Sequence, residues 1–410
     1  MEDTPSRAGA EPFDQDPRRW WILALVSLGL LFGMSAWFTA SAVAPELRVR
    51  WGLTSDEVGW LTTIVQFGFV TGTAAAALFN LADIVPSRFY FPACALLAAL
   101  ANAFLIIAPG YSFALGGRFL TGFFLAGVYP PGMKMIATWF RSARGLAIGT
   151  VVGALTVGKA TPYLLKAVGG SGIAPVVGGA SAAGAVAGLL ILVAYHDGPY
   201  PFTRRPFSWS LATRILHHRE TMLATGGYLG HMWELYAMWT WVPAFLLAAA
   251  SQHGPSAGVV EVVAFGAIAA GGLGCVWGGA AADRIGRHRV VNLAMSVSGI
   301  CSLGVGLLFH APFWILALAT WTWGFFVVAD SAQFSALVTE VAPADGVGTA
   351  LTLQTSMGFL LTMVTIQAIP HLVDAFGWSW AFPLLALGPA AGIASIRRLQ
   401  RPRASRHVAP

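Results

Sequence analysis

The sequence predicts an all-α membrane protein of about twelve transmembrane helices in two sets of six. Three observations carry this prediction: very little charge, apolar runs of membrane-spanning length throughout, and one long polar interruption near mid-chain. Of 410 residues, 56% are hydrophobic and only 10% charged, whereas a soluble domain carries about 25% charged residues. Such a chain needs the lipid bilayer as part of its solvent.

Crossing about 30 Å of hydrocarbon takes roughly 20 helical residues, and runs of that kind fall near 20–44, 56–79, 89–108, 112–137, 145–168 and 173–195. A second series follows near 220–248, 256–281, 289–309, 312–339, 347–371 and 379–396. The runs are continuous and lack the alternation of a lipid-facing barrel strand, so they are read as helices. This gives a tail (1–19), a first bundle (20–195), a linker (196–219) rich in Pro, Arg and His, a second bundle (220–396) and a second tail (397–410).

Most of the 24 Lys and Arg residues fall in the two tails, the linker and the loops holding Arg88, Arg141 and Arg144, and Arg284, Arg287 and Arg289. All of these lie on one side of the predicted topology, opposite Arg48 and Arg50. Short cytoplasmic loops retain positive charge, so both termini are expected in the cytoplasm and the protein in a bacterial inner membrane. The net charge of +6 is read as this topology signal, with no nucleic-acid partner. The run from Trp20 is too long for a signal-peptide core, so the first helix is expected to remain as an anchor.

Cys94, Cys275 and Cys301 sit inside predicted helices at spacings that suggest neither a metal site nor a disulfide framework. No cofactor is called for. The stretch Gly153 to Lys159 approximates a phosphate-binding loop, but Ala160 stands where a magnesium-binding hydroxyl belongs and no strand precedes it. ATP hydrolysis is not supported, and no pattern of catalytic residues suggests an enzyme.

The two halves repeat weakly at an offset near 200, with FNLADIVPSR around Asp83 corresponding to GGAAADRIGRHR around Asp283. The second segment places Gly279, Asp283, Arg284, Gly286, Arg287 and Arg289 in the spacing Gly-x-x-x-Asp-Arg-x-Gly-Arg followed by a further basic residue. Through this loop, and through Arg118 with Gly122 in the fourth run, the chain resembles the major facilitator superfamily over essentially its whole length. The first-half loop departs from the pattern, with Phe79 and Pro86 where glycines belong.

The resemblance implies two pseudo-symmetric six-helix bundles that rock about a central site, moving a small-molecule substrate by alternating access. It also implies a conformational latch. A helix amino terminus carries about half a positive charge, so Asp283 would rest near Arg144 and Gly145 at the start of the fifth helix. Asp83 would rest near Gly346 and Gly348 at the start of the eleventh, and both contacts would favour the outward-open state. Glycines at 145, 149, 153 and 158, and at 271, 272, 274, 278 and 279, are spaced as small residues are where membrane helices approach closely.

An ionisable group at the bilayer centre costs at least about 2.5 kcal/mol, so each one kept there is a functional candidate. Only three lysines occur, at 134, 159 and 166. Lys159 lies about 21 Å along the fifth helix from its start, too deep to snorkel, and is a candidate for substrate or counter-ion binding. Lys134 and Lys166 are nearer helix ends, where long stems reach the interface. Arg118 is a candidate either for anion binding or for holding a helix end.

In the seventh helix, His231, Glu234 and Met238 share a face. A carboxyl group shielded from water can take up and release a proton near neutral pH, so Glu234 is a candidate for substrate binding or proton coupling. His231 and Asp330 are expected to share the proton, and a Glu234 salt bridge to Lys159 or Arg118 is the structural alternative. Trp233, Tyr236 and Gln333 complete the cavity candidates. A proton-coupled carrier of a small organic anion, acting as a monomer, is the favoured function. The alternatives are a proton-driven exporter of drugs or organic cations and, of other classes, a receptor or a polytopic enzyme.

Overall fold

The computed structural model describes residues 16–170, 172–200 and 208–406, apart from the side chains of 82–83, 252–253 and 401–406. Twelve long helical segments follow one another: α1 (Arg18–Ala36), α2 (Ser55–Leu78), α3 (Ser87–Ile107), α4 (Tyr111–Leu125, resumed as Tyr129–Ala137), α5 (Arg144–Gly169) and α6 (Ile173–Ala194). The second series is α7 (Arg219–His253), α8 (Ala257–Ile285), α9 (Arg287–Leu308), α10 (Phe313–Val341), α11 (Val347–Phe376) and α12 (Trp378–Gln400). Among the described residues there is no strand, and ten of these helices are long and apolar enough to cross a membrane. The other two are α4, broken into short pieces, and α7, whose middle turns are rich in polar and aromatic side chains.

Four predicted runs are not single helices; the twelfth opens as two 3-10 turns, Trp378–Trp380 and Pro383–Ala386, before its α-helix begins at Leu387. The first, 20–44, ends as α1 at Ala36 and restarts as Thr39–Ala42 and Ala44–Trp51. Pro45 suits a first helical turn because its missing N–H would be unpaired there anyway, and Gly52 at φ 66 closes the segment. The fourth run breaks at 126–128, before Pro130 and Pro131. The tenth breaks at Asp330, which ends one helical piece and caps the next. α2 begins with a capping box in which the Glu57 N–H donates to Thr54 Oγ1 (3.3 Å) and the Thr54 N–H donates to Glu57 Oε2 (2.8 Å).

In the first bundle α1 packs on α5 and α6, α2 on α4, and α3 on α4 and α6; in the second, α7 packs on α11 and α12, α8 on α10, and α9 on α10 and α12. Two seams join the bundles, α5 against α8 and α2 against α11. The α5–α8 seam is closed by backbone. A Cβ on Gly153 would lie 2.8 Å from the Gly272 carbonyl oxygen, and one on Gly272 would lie 3.0 Å from that of Gly153. Only glycine permits so close an approach.

The turns with the arginine-rich loops form one end of the molecule, here the basic end. Gly286 turns the chain from α8 into α9 at φ 88. Pro86, its counterpart, cannot adopt a positive φ, and the left-handed residue in the first-half loop is Asn80 instead, at φ 50.

Candidate functional site

Lys159 projects from mid-α5 into the junction of the bundles, where it is 3% exposed. Its ammonium donates a hydrogen bond to the Tyr236 hydroxyl on α7. The nitrogen also lies 4.3 Å from the Trp37 ring centroid, 4.7 Å from that of Tyr236 and 5.2 Å from that of Trp239. Electron-rich ring faces attract a cation at these distances. Among the described residues no carboxylate lies within ion-pair distance of Lys159.

Further rings complete the box. Phe69 and Phe359 meet at 4.6 Å between centroids, and Phe359 is 5.3 Å from Tyr236 and 5.7 Å from Trp37. Phe38 stands 6.0 Å from Trp239. The rings thus come from the end of α1, α2, α7 and α11, so both bundles build the box. The indole Nε1 groups of Trp37 and Trp239 are buried without a hydrogen-bond partner among the described residues.

Arg118 does not reach Lys159. It is 1% exposed and donates to the carbonyls of Ala36 (2.9 Å), Trp37 and Leu61 (3.4 Å) and to Asn102 Oδ1 (2.8 Å). Ala36 and Trp37 lie where α1 stops, and a broken helix leaves carbonyls unpaired. The guanidinium occupies that break and so holds the Trp37 backbone; it lies midway along the first piece of α4 and not at that helix's end.

Glu234 shares α7 with Tyr236 but faces the other way, into the second bundle. It accepts hydrogen bonds from Ser298 Oγ (2.8 Å) and Trp323 Nε1 (2.7 Å), and the salt bridge to Lys159 or Arg118 considered from the sequence is not formed. Beside it, His231 Nδ1 lies 2.9 Å from Asp330 Oδ1, with both side chains buried. Residues of α7, α9 and α10 therefore enclose two carboxyl groups and an imidazole within one bundle.

Two other cavity candidates lie elsewhere. The Trp233 indole donates to the Leu384 carbonyl (3.1 Å) and packs toward α12. Gln333 accepts from Arg287 (3.0 Å) and donates to the Gly278 carbonyl (3.4 Å), and Arg287 also holds Glu340 (2.7 Å), so Gln333 belongs to the basic end. There Asp283 faces the start of α5: its carboxylate oxygens are 3.6 and 3.8 Å from where a Cβ on Gly145 would stand. A Cβ on Gly279 would meet the Gly145 carbonyl at 3.4 Å. Arg284 is exposed beside Asp283, and Arg144 begins α5. The Asp83 side chain, and the linker residues Arg204 and Arg205, lie outside the described residues.

Cavities flank the box. One of about 690 Å³ opens at the basic end, lined by Asn80, Lys134, Arg141, Arg144 and Gly348 among others. The other, about 470 Å³, is lined by Ser41, Tyr163, Lys166, Trp241 and Glu261. Along α5, Arg144 borders the first, Lys159 lies in the box and Lys166 borders the second.

Around the second cavity the bundles are tied by polar contacts. Lys166 bridges Glu46 of the first bundle (3.1 Å) and Glu261 of α8 (3.2 Å), and donates to the Ala42 carbonyl (2.8 Å). This replaces the snorkelling position expected for Lys166. His371 Nδ1 lies 3.1 Å from Asp56, and Gln367 donates to Thr63 (3.1 Å), both between α11 and the first bundle.

The sequence profile of the Major Facilitator Superfamily matches residues 25–366 and also 235–410. The niacin transporter NiaP of Acinetobacter baylyi is 31% identical over 120 residues, 29% of this chain and 26% of that protein. A D-xylose transporter of Levilactobacillus brevis is 32% identical over 136 residues, 32% of this chain and 28% of the other. The chain therefore spans little more than a quarter of the length of these relatives. A bacterial homolog of the human lysosomal transporter Spinster, solved inward-facing and unoccupied, superposes over 95% of each chain with a TM-score of 0.65 at 15% identity, a likeness of fold.

Proposed function

The chain belongs to the Major Facilitator Superfamily, and from this and the geometry of its centre we propose that it is a secondary transporter carrying a small organic anion by alternating access. One observation carries the choice of an anion: Lys159 is buried between the bundles with no carboxylate partner among the described residues. A buried charge held only by a phenol oxygen and ring faces is under-compensated, and a substrate carboxylate would complete it. The niacin transporter among the relatives supports the same reading.

We assign proton coupling to Glu234, with the His231–Asp330 pair one turn away as the relay. Both Glu234 partners, Ser298 and Trp323, donate to it, so protonation of Glu234 weakens two hydrogen bonds that tie α7 to α9 and α10. Loss of such charge-assisted bonds frees α7 to shift, and α7 carries Tyr236 of the box. The proton and the solute thus act on opposite faces of one helix.

In this reading the contacts of Lys166, His371 and Gln367 close the outer end, and Asp283 against α5 closes the cytoplasmic end. Both termini are cytoplasmic in a bacterial inner membrane, and the monomer is the working unit. The test is uptake by proteoliposomes of a panel of radiolabelled organic anions with an imposed proton gradient. Anion uptake that is abolished in Lys159→Ala supports the proposal; anion uptake unchanged by that substitution overturns it.

A further inference from the structure

The box has more to say about the solute than its charge. The Lys159 ammonium has three N–H donors, and among the described residues its one hydrogen bond goes to Tyr236. Two more donors, Trp37 Nε1 and Trp239 Nε1, are buried without a partner, and these rings are the ones beside the ammonium. A ligand that enters must therefore bring acceptors. A carboxylate supplies two oxygens and several lone pairs. A polyol would bring hydroxyl donors to walls made of rings.

The walls also select the body that carries the carboxylate. Trp37, Tyr236 and Phe359 stand 5.3 to 5.8 Å apart between centroids, already in mutual contact. The rings thus close on one another, and a solute must part them. The ring planes are inclined to one another by 40 to 56°; a flat ring held between two of them needs about 3.5 Å on each side, about 7 Å in all, so a pair of rings must turn toward parallel and part by about one or two ångströms. A puckered aliphatic ring is thicker and gains no ring–ring attraction.

Resting on the reading of Lys159 as the substrate site, we infer that the solute is a planar aromatic monocarboxylate. Its carboxylate lies on Lys159 and the Trp37 and Trp239 indole N–H groups, and its ring enters between Trp37, Tyr236 and Phe359. The aromatic residues then have two tasks: they close the pathway when it is empty and hold the solute when it is filled.

The test uses the full chain in lipid nanodiscs and three probes: benzoate, its neutral isostere benzamide, and cyclohexanecarboxylate. Binding is followed by calorimetry and by tryptophan fluorescence. Benzoate is expected to bind, cyclohexanecarboxylate about ten-fold more weakly because it forgoes the ring–ring attraction, and benzamide not at all. Trp37→Leu should shrink the preference for benzoate over cyclohexanecarboxylate to below about three-fold; Phe359→Leu, which removes another wall of the slot, makes the same test should that variant fail to fold. Equal binding of benzoate and cyclohexanecarboxylate, with benzamide excluded, overturns the aromatic inference and leaves the organic-anion proposal standing. Equal binding of benzamide and benzoate overturns both, as does no binding by any probe.

Discussion

Lys159 and Tyr236 are hydrogen-bonded across the two bundles, the ammonium donating to the phenol oxygen at the centre of the molecule. The pair is buried on all sides and is the polar contact that joins α5 to α7 inside the box. Tyr236→Phe removes the acceptor and keeps the ring, leaving a buried donor unsatisfied at a cost of about 1–3 kcal/mol. The empty variant should unfold at a lower temperature, and benzoate should raise its Tm by more than it raises that of the unaltered protein. Thermal unfolding with and without benzoate checks this; an unchanged Tm would mean that the link contributes nothing.

Glu234 faces away from the box, so its replacement should separate coupling from binding. Glu234→Gln is expected to reduce uptake driven by a proton gradient by about a hundred-fold or more, the scale on which a lost proton-transfer group acts. Solute exchange at equal pH should persist near its original rate. Parallel uptake and counterflow assays distinguish these outcomes, and equal loss in both would place Glu234 in the binding site.

Lys166 ties Glu46 to Glu261 between the bundles, with Lys166 and Glu261 both largely buried. Lys166→Ala leaves two carboxylates facing each other and should favour opening at that end. The measurement is the rate at which a membrane-impermeant maleimide labels a cysteine introduced at Ser41, which lines the adjoining cavity. A several-fold faster rate is expected, and an unchanged rate would remove Lys166 from the closure.

Arg118 meets four acceptors with a planar fork, and Lys offers a single point of charge. Arg118→Lys should therefore destabilise by about 3 kcal/mol or more, as loss of a buried charged group's partners does. Because Trp37 sits on the carbonyls that Arg118 holds, benzoate binding should weaken alongside. Unfolding measurements on the purified variant test the first effect and fluorescence titration the second. Wild-type values in both would refute the positioning role.

The twelve segments and the likeness of the halves were legible because hydrophobic length and the Asp283 loop are local signals. Lys159 and Tyr236 were legible singly, as a rare buried cation and an aromatic beside it. Their meeting was not, since it depends on how α7 is rotated against α5. That rotation also sends Glu234 toward Ser298 and Trp323, and no periodicity within one helix reveals which neighbour a face will find. Trp37, Phe38, Phe69 and Phe359 were missed as a set because aromatic residues are common in apolar runs; the break of α1 just before Trp37 singles them out only in three dimensions. Gln333 was drawn away by Arg287, whose long side chain reaches across a loop.

The cavities on either side of the box have an electrical consequence. Water that fills each cavity as its end opens carries the bulk potential inward, so most of the membrane voltage then falls across the thin layer of rings around Lys159. A unit charge moved through the full drop exchanges about 2.3 kcal/mol per 100 mV, and Lys159 is the ammonium at that depth. The rocking of the bundles should then appear as a transient displacement current in a planar bilayer, even without solute. Lys159→Met should erase that current, and its persistence would assign the moving charge to another residue.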